Sequence, residues 1–423
     1  MKNNTGYRIK YLRTTLNMTQ STLSEGIISV SYLSKIENGS VEPSEEVLEL
    51  LNKRLNASPF LDRSIQQENK CIEFYNNLFR KEIDEAKKNY QQLQKNLEFL
   101  KFSDLFNLLE IHKLRYFIII EDIHQAAEQY NKLQKLSNQF NPIQKYYWLK
   151  HSANFHFKEL SFNRALEFYQ EALIYISNDI ESRNEEENDL YYSIGLTASH
   201  LRKKHLALEF ANKSLKYYRN KYNLERAADC HIIIGISLSV MNEYEKSLEN
   251  FQLALTIAKS IKDTSLYALC LQNIGKLYSI QNSSIKAIEY YLKSFEMRKN
   301  SPAVKRIIPI SSLMKEYYNI DDIYHAEKWL DRGLELVQSL DQKDSIYVYE
   351  FKVYNHLIKG FDSSFEDLIL KYVLPFFKEK QLYYEQYRYL KILATYYFDN
   401  RKYKLSATYF DQASDVLTNL INE

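Results

Sequence analysis

Residues 18–39 read MTQSTLSEGIISVSYLSKIENG, and this stretch folds most simply as two short helices joined by a tight turn. Thr19 is placed to cap the first helix, because its hydroxyl accepts from the free N–H groups of the opening turn. Leu23 and Ile27, four residues apart, put apolar side chains on one helical face. Gly26 to Ile28 supply the turn, and Ser29 or Ser31 caps the second helix. On that helix Leu33 and Ile36 point inward, while Ser31, Tyr32, Ser34 and Lys35 face out. Asn38-Gly39 ends it, since both residues tolerate the left-handed conformation of a helix terminus. Such a pair fits a helix-turn-helix, whose second helix lies in the DNA major groove.

The flanks agree. Residues 5–16 form a supporting helix with Ile9 and Leu12 inward and Arg8, Lys10 and Arg13 outward. Pro43-Ser44-Glu45-Glu46 starts another, with the acids at the positive end of its dipole, and Val47, Leu50, Leu51 and Leu55 return it to the core. The head is expected to span residues 1–58 and a polar linker helix 59–70. Charge is sorted along the head. Residues 1–35 carry Lys2, Arg8, Lys10, Arg13 and Lys35 against one acid, Glu25, whereas residues 36–58 carry two bases against five acids. Phosphates met on one side only call for such an asymmetry.

From residue 71 to 423 a repeat takes over. Small residues recur at Ala86, Ala126, Ala165, Ala207, Ser247, Ala287, Ala326 and Ser406, at steps of 40, 39, 42, 40, 40, 39 and 80. The double step leaves a poor unit centred on Glu366. An aromatic or apolar residue usually sits four beyond (Tyr90, Tyr130, Tyr169, Phe251, Tyr291, Leu330, Leu370, Phe410). A second small residue follows at seven (Ala172, Ser214, Ala254, Ser294, Gly333, Ala413). Twelve residues upstream come Ala153, Gly195, Gly235, Gly275 and Ala394. Small residues there let two antiparallel helices approach closely. About nine units fit, and their spacing exceeds the ~34 residues usual for helical hairpin repeats, so either helices or loops must be longer.

Composition bounds the rest. A chain of 423 residues is too long for one ordinary core. Its net charge of +2 does not by itself announce a nucleic-acid partner. Only 8 Gly and 6 Pro disfavour a turn-rich β fold, and the class expected is all-α. Cys71, Cys230 and Cys270 lie far apart and read as buried thiols in a reducing cytoplasm. No signal peptide opens the chain and no apolar run approaches a membrane span. The His pairs 151/156 and 200/205 are five apart and share no helical face. No phosphate-binding, dinucleotide or nucleophile-elbow motif occurs. No enzyme activity, cofactor or metal is expected. Abundant Asn, Lys, Ile and Tyr hint at a low-GC bacterium.

The order T-Q-x-x-L, a small turn, then S-x-x-x-[LI]-S-x-[IL]-E-N-G over residues 5–58 resembles the Xre/lambda-repressor-type DNA-binding domain. That resemblance implies that Gln20 bonds a DNA phosphate and that Ser29, Val30, Ser31, Tyr32, Ser34 and Lys35 face the bases, with Arg13 at the backbone. The repeat resembles the tetratricopeptide repeat, whose stacking gives a right-handed superhelix with a concave groove. Head and repeats together resemble the peptide-pheromone receptors of Gram-positive bacteria (the Rap, NprR, PlcR, PrgX and Rgg family), and among them most of all NprR and its relatives.

This resemblance implies a cytoplasmic quorum-sensing transcription regulator that takes a short imported peptide in the groove. Peptide binding would change the oligomer arrangement and the hold on a double-stranded operator. Asn273, in LQNIGKLY, matches the family's peptide-binding Asn, since an amide meets both donors and acceptors of an extended backbone. Gln272, Lys276 and Asn154, then Tyr192, Lys315 and Asn355, are the next candidates; Lys276 or Lys315 suits a peptide carboxylate. A homodimer or higher oligomer is expected, with the last unit, Tyr384 to Leu417, as its contact. The alternative is a repeat scaffold that sequesters a protein partner such as a phosphorelay response regulator.

Overall fold

Thr19, Ser29 and Ser44 each accept a hydrogen bond from the N–H three residues on, at 3.1, 3.2 and 3.4 Å, and so set where the first helices begin. In the computed structural model, which describes residues 5–97, 100, 105–180, 182–340 and 345–422, α1 (Thr5–Thr15) is followed by α2 (Gln20–Ser24), α3 (Val30–Glu37) and α4 (Glu45–Arg54). Their core is Ile9, Leu12, Leu23, Leu33, Ile36, Leu51, Leu55 and Ala57. Two details differ from the sequence pattern. α2 stops at Ser24, so Ile27 stands half-buried in the turn rather than on a helical face. Leu50 is 48% exposed, because α4 turns Leu51 and Leu55 to the core instead. Arg54 donates to the carbonyls of Leu23 (3.2 Å) and Glu25, which closes the end of α2.

The stretch expected as a linker is not a separate element. α5 (Ser58–Arg80) runs unbroken for 23 residues, with Pro59 in its first turn, where its missing N–H is harmless. α6 (Ile83–Lys95), α7 (Leu105–Ile119), α8 (Ile123–Leu136) and α9 (Pro142–Lys158) complete a first compact unit, Met1–Lys158. The second unit, Glu159–Glu423, holds α10 (Phe162–Ile174), α11 (Arg183–His200), α12 (Lys204–Asn220), α13 (Leu224–Val240), α14 (Tyr244–Ser260), α15 (Thr264–Ile280) and α16 (Ser284–Met297). It continues with α17 (Ala303–Asn319), α18 (Ile323–Gln338), α19 (Ile346–Lys359), α20 (Phe365–Asp367), α21 (Leu374–Glu379), α22 (Tyr383–Asp399) and α23 (Tyr403–Asn422). Among the described residues there is no strand, and no helix is long and apolar enough to cross a membrane.

The recurring small residues do what their spacing requires. Each is the fourth residue of the second helix in a hairpin, and all eight, from Ala86 to Ser406, are at most 3% exposed. Within the second unit, partners on the first helices meet them closely. The Ser247 hydroxyl donates to the carbonyl of Gly235 at 2.7 Å, and a Cβ at Gly235 would stand 2.5 Å from the Phe251 ring. The long period lies in the helices. α12, α13, α14 and α15 each have 17 residues, and short turns with a left-handed residue, such as Tyr222, Asn242 and Lys262, separate them.

Two prolines are accommodated by named groups. Pro309 lies inside α17 and cannot donate to the carbonyl of Lys305; the Arg298 guanidinium donates there instead, at 3.0 Å. Pro375 follows a π-helical turn, Leu368–Val373, between α20 and α21. The wider turn shifts the hydrogen-bond register where the proline lacks a donor. This is the unit that read poorly in sequence. Glu366 secures it by accepting from Lys402 (2.7 Å), Tyr397 (3.0 Å) and Tyr396 (3.4 Å) on the last hairpin. Cys71, Cys230 and Cys270 are free and buried, and burial pushes each thiol up to about 12.

Candidate functional site

In the head, one buried carboxylate organises the face that carries the expected DNA contacts. Glu37, 1% exposed, accepts from Arg13 Nε at 2.6 Å and Nη2 at 2.9 Å, and from Gln20 Nε2 at 2.8 Å. The same guanidinium donates to the carbonyl of Met18 at 2.8 Å. Arg13 and Gln20 are therefore fixed side chains. One hydrogen of the Gln20 amide nitrogen goes to Glu37, and the other meets no acceptor among the described residues. Ser29 caps α3 and also lies 3.1 Å from the Ser31 hydroxyl. Val30, Ser31 and Lys35 are exposed, while Tyr32 and Ser34 are half-buried. Sequence reading missed Glu37; its signal was an acid inside the E-N-G stop of the second helix.

Burial pushes the Glu37 carboxyl up, but hydrogen bonds from Arg13 and Gln20 and the charges of Arg13 and Lys10 outweigh it, leaving it below the usual carboxylate range. A depressed folded value stabilises the head above the unfolded carboxylate range, near ~4.3. That stability is lost as pH falls through the folded value. Thermal melts of the full chain between pH 3 and 7 should show a head transition that weakens below about pH 4. In Glu37→Gln it should be weaker at neutral pH and flatter in acid. An acid limb unchanged in the variant would assign it elsewhere.

In the second unit polar pairs about one repeat apart tie the first helices of hairpins, α11 to α13, α15 to α17 and α17 to α19. Arg226 bonds Asp189 at 2.9 Å, Gln272 donates to the Ser312 hydroxyl at 2.8 Å, and Lys315 bonds Glu350 at 2.6 Å. Glu350 is 3% exposed; it also takes the Ser311 hydroxyl and lies 3.7 Å from Arg388 of α22. Burial pushes its carboxyl up, and Lys315, Arg388 and Ser311 more than reverse this. Residues far apart in sequence also meet within this unit. The Arg202 guanidinium lies 4.1 Å over the Tyr384 ring, and Asn163 donates to Gln381 at 2.9 Å.

The expected peptide-binding residues do not all converge. Gln272, Asn273 and Lys276 share α15. Asn273 is half-buried, and its amide donates to the Leu269 carbonyl of its own helix at 2.9 Å. Gln272 is 8% exposed, and its carbonyl oxygen is buried without a hydrogen bond. Lys276 is exposed, yet its ammonium is held below the ordinary lysine range, first by the desolvating surroundings and then by Arg202. Lys315 is engaged by Glu350. Tyr192 lies under the Arg226 guanidinium at 4.3 Å on α11. Asn355 is on another face of α19 from Glu350, five residues away. Asn154 belongs to α9 in the first unit, donating to the Lys150 carbonyl at 2.9 Å. Arg202, Glu350 and Arg388 were not singled out in the sequence, although Glu350 stands about one repeat beyond Lys315.

Comparison with known proteins places both halves. A helix-turn-helix family model matches residues 9–61, and a tetratricopeptide repeat model matches residues 231–300. The transcriptional activator NprA of Geobacillus stearothermophilus is 32% identical over 409 residues, covering 95% of this chain and 100% of that protein. Response regulator aspartate phosphatase I of Bacillus subtilis (strain 168) is 22% identical, covering 81% of this chain and 88% of the relative. Among solved structures, NprR in complex with its cognate peptide NprX superposes with a TM-score of 0.68 at 20% identity, over 83% of this chain and 99% of that one. That likeness shows the repeat fold.

Proposed function

Because the chain belongs to the family of the transcriptional activator NprA, we propose that it is a quorum-sensing transcription regulator, not an enzyme, which binds an operator through its head and a short signalling peptide through its repeats. The observation that carries this reading is the likeness to NprA, which runs through head and repeats alike. The division into a head at 1–58, a connecting stretch at 59–70 and a repeat domain at 71–423 belongs to the same proposal. On the DNA side, Lys35 and Ser31 are exposed on α3, and Glu37 holds Arg13 and Gln20 in place beside them. On the peptide side, the half-buried Asn273 and the exposed Lys276 share α15 with Gln272, whose carbonyl oxygen is buried without a hydrogen bond. A cytoplasmic setting accords with three free buried thiols.

Self-association through the last hairpin is part of this reading. Phe410 on α23 is 40% exposed, whereas Phe251 and Tyr291, at the same repeat position, are 2% and 3% exposed. The end of the repeat array thus leaves apolar surface that a second copy would cover, and two heads match a palindromic operator. The phosphatase likeness favours a second reading, in which the repeats hold a response regulator.

Calorimetry of the full chain against synthetic peptides of 5 to 10 residues, taken from the small reading frame that follows its gene, is the decisive test. Binding at micromolar or tighter affinity, lost in Asn273→Ala, is the expected result. A folded, DNA-binding protein that gives no heat with any of them would favour the response-regulator reading.

A further inference from the structure

We propose that the cleft between α16, α17 and α18 is a second ligand site, which takes a free apolar amino acid with its carboxylate on Arg306 and Arg332 and its ammonium on Glu335. The inference stands apart from the peptide reading, since none of these residues is assigned to the peptide. Helical spacing gathers the site. Arg306 and Ile310 are four apart on α17, and Arg332, Glu335 and Leu336 fall at i, i+3 and i+4 on α18, so each set shares one face. Together with Phe295 of α16 they line a cavity of about 290 Å³, near the lower end of the ~300–1,000 Å³ of small-molecule sites.

The walls are of two kinds. Ile310, 4% exposed, and the half-buried Phe295 and Leu336 are apolar. The Phe295 ring meets the Trp329 ring edge-on at 5.0 Å, and the Arg332 guanidinium lies 4.7 Å from the centre of the same indole ring. A guanidinium held against a ring keeps N–H groups at its edge for an acceptor. Arg306 is half-buried, and its Nε is buried without a hydrogen bond. A buried N–H with no acceptor is costly. A carboxylate lying side-on to Nε and a terminal nitrogen would satisfy it with two parallel bonds.

The charges decide the class of ligand. Among the described residues Arg306 and Arg332 pair with no acid. Glu335 pairs with no base, although Arg332 is one turn before it on the same helix face. Lys299, also at the cavity, is engaged by Glu296 at 2.5 Å. Two unpaired cations and one unpaired acid therefore line one cavity. A phosphate dianion would meet Glu335 as a like charge, and a plain carboxylic acid would leave Glu335 unused. A zwitterion uses all three groups. Its side chain then falls to Phe295, Ile310 and Leu336, where removing apolar surface from water favours binding.

The test is calorimetry of the full chain, without peptide or DNA, against L-leucine, L-isoleucine and L-phenylalanine. Isocaproate and hydrocinnamate, the leucine and phenylalanine skeletons without the ammonium, are titrated beside them. The expected result is a Kd of about 1 mM or tighter for an apolar amino acid, with its desamino form roughly tenfold or more weaker. Arg306→Gln should weaken the amino acid roughly ten- to a hundredfold. Glu335→Gln should erase the preference for the amino acid over its desamino form, because the ammonium has lost its partner. Glu335 is exposed, so this variant should melt with the wild type, and it carries the test if Arg306→Gln folds poorly. No heat from any of the three amino acids would overturn the site. So would equal binding of the desamino forms by the wild type, or an affinity and preference that Glu335→Gln leaves unchanged. Peptide binding should survive both variants, which keeps a failure here separate from a failure of the receptor reading.

Discussion

Gly6→Ala should dismantle the DNA-binding head and leave the second unit folded. A Cβ at Gly6 would lie 1.8 Å from the carbonyl oxygen of Ile36 and 2.7 Å from its carbonyl carbon. Those are backbone atoms in the last turn of α3, so no side-chain rotation relieves the clash. α1 must lift from α3, and Ile9 and Ile36, both fully buried, lose their packing with it. Overpacking of a core costs about 1–3 kcal/mol when side chains can adjust; against backbone the loss should reach about 3 kcal/mol or more. A head this small has little reserve, because short domains bury a modest share of their surface. Limited proteolysis should then cut within the first 60 residues or so, and fluorescence anisotropy on duplex DNA from the protein's own promoter should show no specific binding. Undiminished DNA affinity together with a protected head would mean that α1 does not cross α3 at Gly6.

The sequence made that crossing only partly visible. The caps at Thr19, Ser29 and Ser44 were legible because each is a local matter, one hydroxyl and the N–H groups of the next turn. The repeat was legible for a related reason. Two antiparallel helices can approach only where both carry small residues, so Gly235 with Ser247, or Gly275 with Ala287, leave a trace every hairpin. The forty-residue period did not say where its extra residues lie, because longer helices and longer loops give the same count.

Partnerships between helices were less visible. Glu37 meets Arg13 and Gln20 from 24 and 17 residues away, distances fixed by how α1, α2 and α3 cross and not by any helical period. Arg13 and Gln20 read as free phosphate ligands for that reason. Lys315 and Lys276 looked equivalent along the chain, yet Lys315 pairs with Glu350 whereas Lys276 forms no ion pair among the described residues. The separation between Lys315 and Glu350, about one repeat, becomes informative only when successive repeats are laid one beneath another. The contact of Arg202 with Tyr384 spans more than four repeats and left no trace in the sequence.

Glu350→Ala should cause the largest loss of stability in the second unit. Its carboxylate is buried, and it accepts from Lys315 at 2.6 Å and from Ser311 while Arg388 stands 3.7 Å away. Removing one member of a buried ionic cluster leaves the others charged without a partner, at about 3–5 kcal/mol. In a unit of this size that corresponds to a fall of roughly 6–15 °C in melting temperature. The folded carboxyl lies below the usual range despite its burial. Its contribution is therefore present above the unfolded carboxylate value and disappears as pH falls through the folded one, so wild type and variant should converge in acid. Burial alone would predict the reverse. A triple variant, Glu350→Leu with Lys315→Met and Arg388→Met, removes the charges together and should recover much of the lost stability, since apolar replacements of a whole buried cluster are often tolerated. If Glu350→Ala melts with the wild type at neutral pH, the cluster is exposed in solution, and α17, α19 and α22 are not packed around it as described.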